Sequence, residues 1–135
     1  MQYTQSSEVL AYLGDAAYEL AVRRACLDAG IIDLAVLNRV VTAQVRATAQ
    51  SAAVERILPH LTTEEEELYR RGRNRHRVAA PKSASAVEYR RATGLETLFG
   101  ALSLTGQDAR FAELFSLCCP QEMLLLAASQ AGKAI

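Results

Sequence analysis

Apolar residues in this chain gather in Ala- and Leu-rich stretches, and its valines and isoleucines seldom alternate with polar residues, a pattern that favours helices over strands. The punctuation between stretches sets their limits. Ser6 or Ser7 caps a first helix from about Ser7 to Asp28, which stops near Gly30. Asp33 caps a second helix through about Ala49, and a short third one reaches Leu58 before Pro59. Thr62 and Thr63 precede Glu65 and Glu66 by three residues each, two overlapping capping boxes that start a helix through Arg71. The glutamates of that helix sit at the positive end of its dipole and the arginines at the negative end, as in an ordinary well-charged helix. From Gly72 to Ser83 periodicity is lost, and Gly72, Asn74 and Pro81 mark a loop. Ser85 or a neighbour caps a long helix to about Thr105, closed by Gly106. The last helical region begins near Asp108 and is broken at Pro120, which can open a new helix. The expectation is an all-α, bundle-like fold of six to seven helices with short connections.

At 135 residues the chain is long enough for one domain, 1–135, with a core that needs no staples. Its three cysteines, Cys26, Cys118 and Cys119, are an odd number at no metal-ligand spacing and read as small buried apolar residues of a reducing cytosol. The start of the chain lacks the basic-then-apolar run of a signal peptide, and no apolar stretch approaches the roughly 18 residues of a membrane helix. A cytoplasmic protein with no membrane partner is expected.

Two acidic residues interrupt the most apolar helical stretches: Asp15 within Ala11–Leu20 and Glu96 within Thr93–Gly100. Lone carboxylates are costly to take out of water, by roughly several kcal/mol each. Placing two in a prospective core implies that they meet around a cation. Each helical residue turns by about 100°, so Glu8, Asp15 and Glu19 share one stripe, with Glu19 only about 6 Å along the axis from Asp15. Ala92, Glu96 and Gly100 form a second stripe, and small neighbours such as Gly14 allow the two helices to approach. Paired oxygen ligands suit a hard cation such as Mg²⁺, and the chemistry at such a site is typically phosphodiester hydrolysis. Asp15 and Glu96 are therefore the candidate catalytic and metal-binding residues, with Glu19 as a further candidate ligand. Plainer roles stand beside these: an ion pair with Arg23 for Glu19, a first-turn dipole contact for Glu8, packing for Gly14, and a salt bridge to an arginine for either central carboxylate.

Formal net charge is zero, yet Leu68 to Arg91 holds eight basic side chains against Glu88 alone, with His76 in addition. A local basic patch on a neutral protein points to a directed polyanion site. Guanidinium forks match phosphate geometry, and Gly72 reads as a flexible hinge among them. Only Tyr69 and Tyr89 are available for stacking on single-stranded bases, so a duplex recognised through phosphates and 2′-hydroxyls fits better. A solvated loop balancing the glutamate run is the plainer alternative.

Tyr12-Leu-Gly-Asp-Ala16 resembles the Leu-Gly-Asp core of the ribonuclease III signature, and Leu95-Glu-Thr-Leu-Phe-Gly100 resembles that family's second conserved block. Arg70-Arg-Gly-Arg-Asn74, Pro81-Lys82 and Tyr89-Arg90 narrow the resemblance to the mini-ribonuclease III branch, and it spans nearly the whole chain. It implies an all-α ribonuclease III-type endonuclease domain, homodimeric and Mg²⁺-dependent, without a double-stranded-RNA-binding domain. The implied activity is cleavage of double-stranded RNA to 5′-phosphate and 3′-hydroxyl ends, maturing 23S ribosomal RNA precursor, with ribosomal proteins on that precursor as further partners. By carry-over Asp15 matches the signature aspartate and Glu96 the metal-binding glutamate, while Glu8 falls on an acidic position of structural role. Arg71, Arg73, Asn74, Arg75, His76, Lys82 and Arg90 are the implied RNA contacts. Ala11 and Thr93 stand where full-length members carry glutamate and aspartate, losses that the branch shares. The competing reading is a degenerate RNA-binding or ribosome-associated relative that keeps only the basic surface. A helical adaptor explains the apolar helices but neither the acidic pair nor the arginines.

Overall fold

A computed structural model describes residues 1–75 and 85–133. Within them the chain forms α1 (Ser7–Asp28), α2 (Leu34–Val45), α3 (Ala47–Ile57), a 3-10 turn (Leu58–His60), α4 (Thr63–Arg73), α5 (Ala86–Leu104), α6 (Asp108–Cys118) and α7 (Gln121–Lys133). No single helix among the described residues is long and apolar enough to cross a membrane.

Local side-chain chemistry sets most boundaries. Ser6 Oγ accepts from the Val9 amide, and Asp33 Oδ2 from the Val36 amide. Thr62 with Glu65, and Ser85 with Glu88, form reciprocal capping boxes. Gly30 and Gly106 take φ of 91° and 70°, the left-handed conformation that lets the chain leave α1 and α5 without a Cβ clash.

Two expected boundaries are corrected. The second helix ends at Val45 rather than near Ala49, because Arg46 is extended (φ −69°, ψ 156°) and α3 starts afresh after it. Neither proline nor glycine marks that break. The fourth helix does not stop at Arg71, and Gly72 is no hinge: it is a buried helical residue of α4. A Cβ on Gly72 would overlap the Thr97 hydroxyl and lie 2.9 Å from the Gly94 Cα, while one on Gly94 would lie 2.7 Å from the Tyr69 ring. These two glycines let α4 and α5 lie backbone to backbone.

α5 is the central element, packed by α1, α3 and α4 and buried around most of its circumference from Ala92 to Leu102. Around it Tyr18 meets Phe99 and Phe115 edge to face, with ring centroids 5.3 and 5.4 Å apart. All three cysteines are buried, and burial pushes the Cys118 thiol well up, as befits side chains that pack rather than react. Arg56 closes α6, donating to the Leu117 and Cys118 carbonyls at 3.1 and 2.6 Å.

The glutamate run of α4 holds more than dipole compensation. Glu65 is 4% exposed and receives Arg110 Nε and Nη2 at 2.9 and 2.8 Å. Those hydrogen bonds hold its carboxyl below the usual carboxylate range despite burial. The same guanidinium donates to the His60 carbonyl, tying the 3-10 turn, α4 and α6 together.

Candidate catalytic site

The site is built on the α1–α5 crossing. A Cβ placed on Gly14 would fall inside the Glu96 carbonyl and 2.9 Å from the Gly100 nitrogen. One placed on Gly100 would fall inside the Leu10 carbonyl and 3.0 Å from the Gly14 nitrogen. The two glycines thus bring the backbones into direct contact, and this contact sets Asp15, the residue after Gly14, beside Glu96.

The expectation that both carboxylates lie in the core is corrected. Asp15 is exposed and Glu96 only half-buried. The pair sits where the crossing opens to solvent, because the bare backbones occupy the interior at that level. Burial pushes the Glu96 carboxyl up to about 8, aided by a shared hydrogen bond with Asp15 and by the Asp15 charge, while a hydrogen bond from the Gln50 side chain pulls it down. Two carboxylates close enough to share a proton form a donor set that a hard divalent cation relieves. The salt-bridge alternative finds no support, since the ion pairs among the described residues involve neither Asp15 nor Glu96. No group of three or more acidic, histidine or cysteine side chains gathers among those residues.

The neighbouring acids have other partners. Glu19 binds Arg23 one turn on, at 2.7 Å, the plainer role that its spacing allowed. Glu8 pairs with Arg75 at 3.1 Å, joining the first turn of α1 to the residue that follows α4 and its C-cap. Ala11 is buried, and the Thr93 hydroxyl donates back to the Tyr89 carbonyl at 3.1 Å.

The structure does not gather the expected RNA contacts in one place. Arg73, Asn74 and Arg90 line one surface cavity with Val87 and Arg91. There Arg73 lies 5.6 Å from the Tyr69 ring centroid and donates to Asn74 Oδ1, while Arg91 is held by Glu55 at 2.6 Å. Arg71 faces a separate cavity formed by the first five residues, where it donates to the Tyr3 hydroxyl at 3.2 Å. His76 and Lys82 lie outside the described residues.

Sequence reasoning missed Gln50. It is 2% exposed and stands on the buried stripe of α3 with Ala53, Val54 and Ile57. A glutamine at the head of an i, i+3, i+4, i+7 apolar stripe was the available signal.

Comparison with known proteins finds relatives over most of the chain. The family model described as Ribonuclease III domain matches residues 8–107, a span that includes Asp15, Gly72 and Glu96. The chain is similar to Mini-ribonuclease 3 of Symbiobacterium thermophilum, 46% identical over 105 residues, covering 78% of this chain and 81% of that protein. It is also similar to Mini-ribonuclease 3 of Enterococcus faecalis, 42% identical, with coverage of 81% and 84%. A crystal structure of a Fusobacterium nucleatum protein superposes with a TM-score of 0.76 at 32% identity, covering 87% of this chain and 93% of that one. These matches show that the chain belongs to the ribonuclease III family of endoribonucleases, in its mini-ribonuclease III branch.

Proposed function

We propose that the protein is a Mg²⁺-dependent, homodimeric endoribonuclease of the cytoplasm that cuts double-stranded RNA and matures the ends of 23S ribosomal RNA precursor, where ribosomal proteins are further contacts. The observation that carries this reading is the Asp15–Glu96 pair, side by side and open to solvent at the α1–α5 crossing. Asp15 and Glu96 would hold Mg²⁺, which supplies an activated water and neutralises charge on the scissile phosphate. The rigid crossing fixes the two carboxylates relative to each other, so little reorganisation is needed when a phosphodiester arrives. A duplex fragment of the precursor should be cut to 5′-phosphate and 3′-hydroxyl ends with Mg²⁺ and left intact with chelator. Cleavage that persists in chelator would refute the metal-dependent reading.

The cavity of Arg73, Asn74 and Arg90 supports a phosphate-binding role, because two guanidiniums and a side-chain amide converge on one concavity. Converting Arg73 and Arg90 together to alanine should weaken duplex binding. It should also make the plot of log affinity against log salt shallower by up to about two phosphate contacts. An unchanged slope in a filter-binding series would remove this cavity from the RNA interface.

Dimerisation is supported by α1. Val9, Tyr12 and Leu20 follow one another at helical spacing, and all are exposed, Tyr12 at 83%. Such an apolar stripe on an isolated chain marks an interface, and a two-fold dimer would present one site to each strand of a duplex. Tyr12→Glu is expected to shift the sedimentation coefficient from dimer to monomer. A Tyr12→Glu protein still dimeric at micromolar concentration would place the interface elsewhere.

A further inference from the structure

We propose that Gln50 is a positioning residue for the candidate site, its buried side-chain amide donating to the Glu96 carboxylate and fixing the face that Glu96 turns toward Asp15. The inference rests on the reading of Glu96 as a metal ligand. Gln50 lies among the buried residues of α3 rather than on its solvent side, and none of the buried side-chain polar atoms of the described residues lacks a partner. Its amide meets Glu96 across the α3–α5 contact. An independent contact fixes the same register. Arg91, five residues before Glu96, donates at 2.6 Å to Glu55, five residues after Gln50. The two contacts share one antiparallel register, held further by Arg56 anchoring the end of α3 to α6.

A buried amide is retained at a cost unless it is hydrogen-bonded, and an apolar residue would pack at that position of the stripe without it. The N–H donor of an amide suits a carboxylate that must stay charged and oriented. It satisfies one lone pair of Glu96 and leaves the others for a cation shared with Asp15. Groups that orient a metal-ligating side chain in this way typically contribute about 10- to 100-fold in metal affinity or activity.

The test uses the full chain, with Mn²⁺ as a spectroscopic probe in place of Mg²⁺. Gln50→Met keeps the approximate shape and removes the donor, and Gln50→Asn withdraws the amide by one methylene. Mn²⁺ binding to RNA-free protein, measured by electron paramagnetic resonance, is expected to weaken about tenfold in both. Duplex cleavage should lose about 10- to 100-fold in kcat with KM unchanged. If Gln50→Met does not fold by circular dichroism, Gln50→Asn decides alone. Wild-type Mn²⁺ affinity in either folded variant would overturn the proposal, because a purely space-filling glutamine would alter thermal stability and leave metal affinity untouched. Glu96→Gln measured in parallel separates the two levels: wild-type Mn²⁺ affinity in that variant would mean that the reading of the site itself has failed.

Discussion

Glu96→Gln is expected to lower duplex cleavage by on the order of 10³-fold or more, since removing one group that stabilises developing charge already costs roughly 10²–10³. Asp15→Asn should do the same, and both variants should keep near-wild-type RNA affinity, because neither residue lines the arginine cavity. Substantial Mg²⁺-dependent cleavage by either variant would sink the catalytic assignment. The same substitutions carry a signature in stability that needs no RNA. In metal-free protein Glu96 keeps its proton up to about 8, against an ordinary value of 4.5. Its folded-state pKa is raised, so its contribution to stability is fully present below 4.5 and is lost as pH rises through about 8. Thermal unfolding in chelator should therefore show a melting temperature that falls across this window. Glu96→Gln, which has no proton to lose, should flatten the profile, and Asp15→Asn should flatten it in part by removing the neighbouring charge. A wild-type profile that superposes on that of Glu96→Gln would show that neither burial nor Asp15 raises the Glu96 carboxyl.

Gly14→Ala should have one of the largest effects on folding of any single methyl group added to this chain, matched by Gly100→Ala on the facing helix. The new Cβ would overlap the Glu96 carbonyl, 2.6 Å from its carbon and 2.9 Å from the Gly100 nitrogen. Backbone atoms cannot rotate aside as a side chain can, so α1 and α5 must separate along their crossing. Overpacking typically costs about 1–3 kcal/mol where side chains can adjust, and a backbone obstruction should exceed that. The loss should outweigh the roughly 1 kcal/mol by which alanine is the better helix former. Gly132→Ala is the control: it is also helical, but nothing lies within 4 Å of its added Cβ, so it should be neutral or stabilising by up to about 1 kcal/mol. Urea unfolding of the three proteins makes the comparison. A Gly14→Ala midpoint equal to that of wild type would mean that the helices do not cross in contact, and the juxtaposition of Asp15 and Glu96 would lose its basis.

Sequence determined what depends on a few adjacent residues. The caps at Ser6, Asp33, Thr62 and Ser85 and the left-handed stops at Gly30 and Gly106 were legible because each is a local reaction between a side chain or a bare Cα and the nearest amides. So were Asp15 and Glu96, as charges where the pattern calls for apolar residues, and Gly14 as a point of close approach. Tertiary structure decided the rest. The break at Arg46, after which α3 starts afresh and packs on α5, comes with no proline or glycine to announce it. Gly72 is a packing glycine within α4 rather than a hinge, because Gly94 and Thr97 leave room for its backbone alone, a fact held by residues more than twenty positions away. Asp15 proved exposed because Gly14 and Gly100 fill the crossing with backbone, and α1 is apolar on two faces: one packs on α5, while the other, with Val9, Tyr12 and Leu20, is bare in the single chain. Composition cannot rank two apolar faces of one helix. Only the packing partner does, by removing one of them from water.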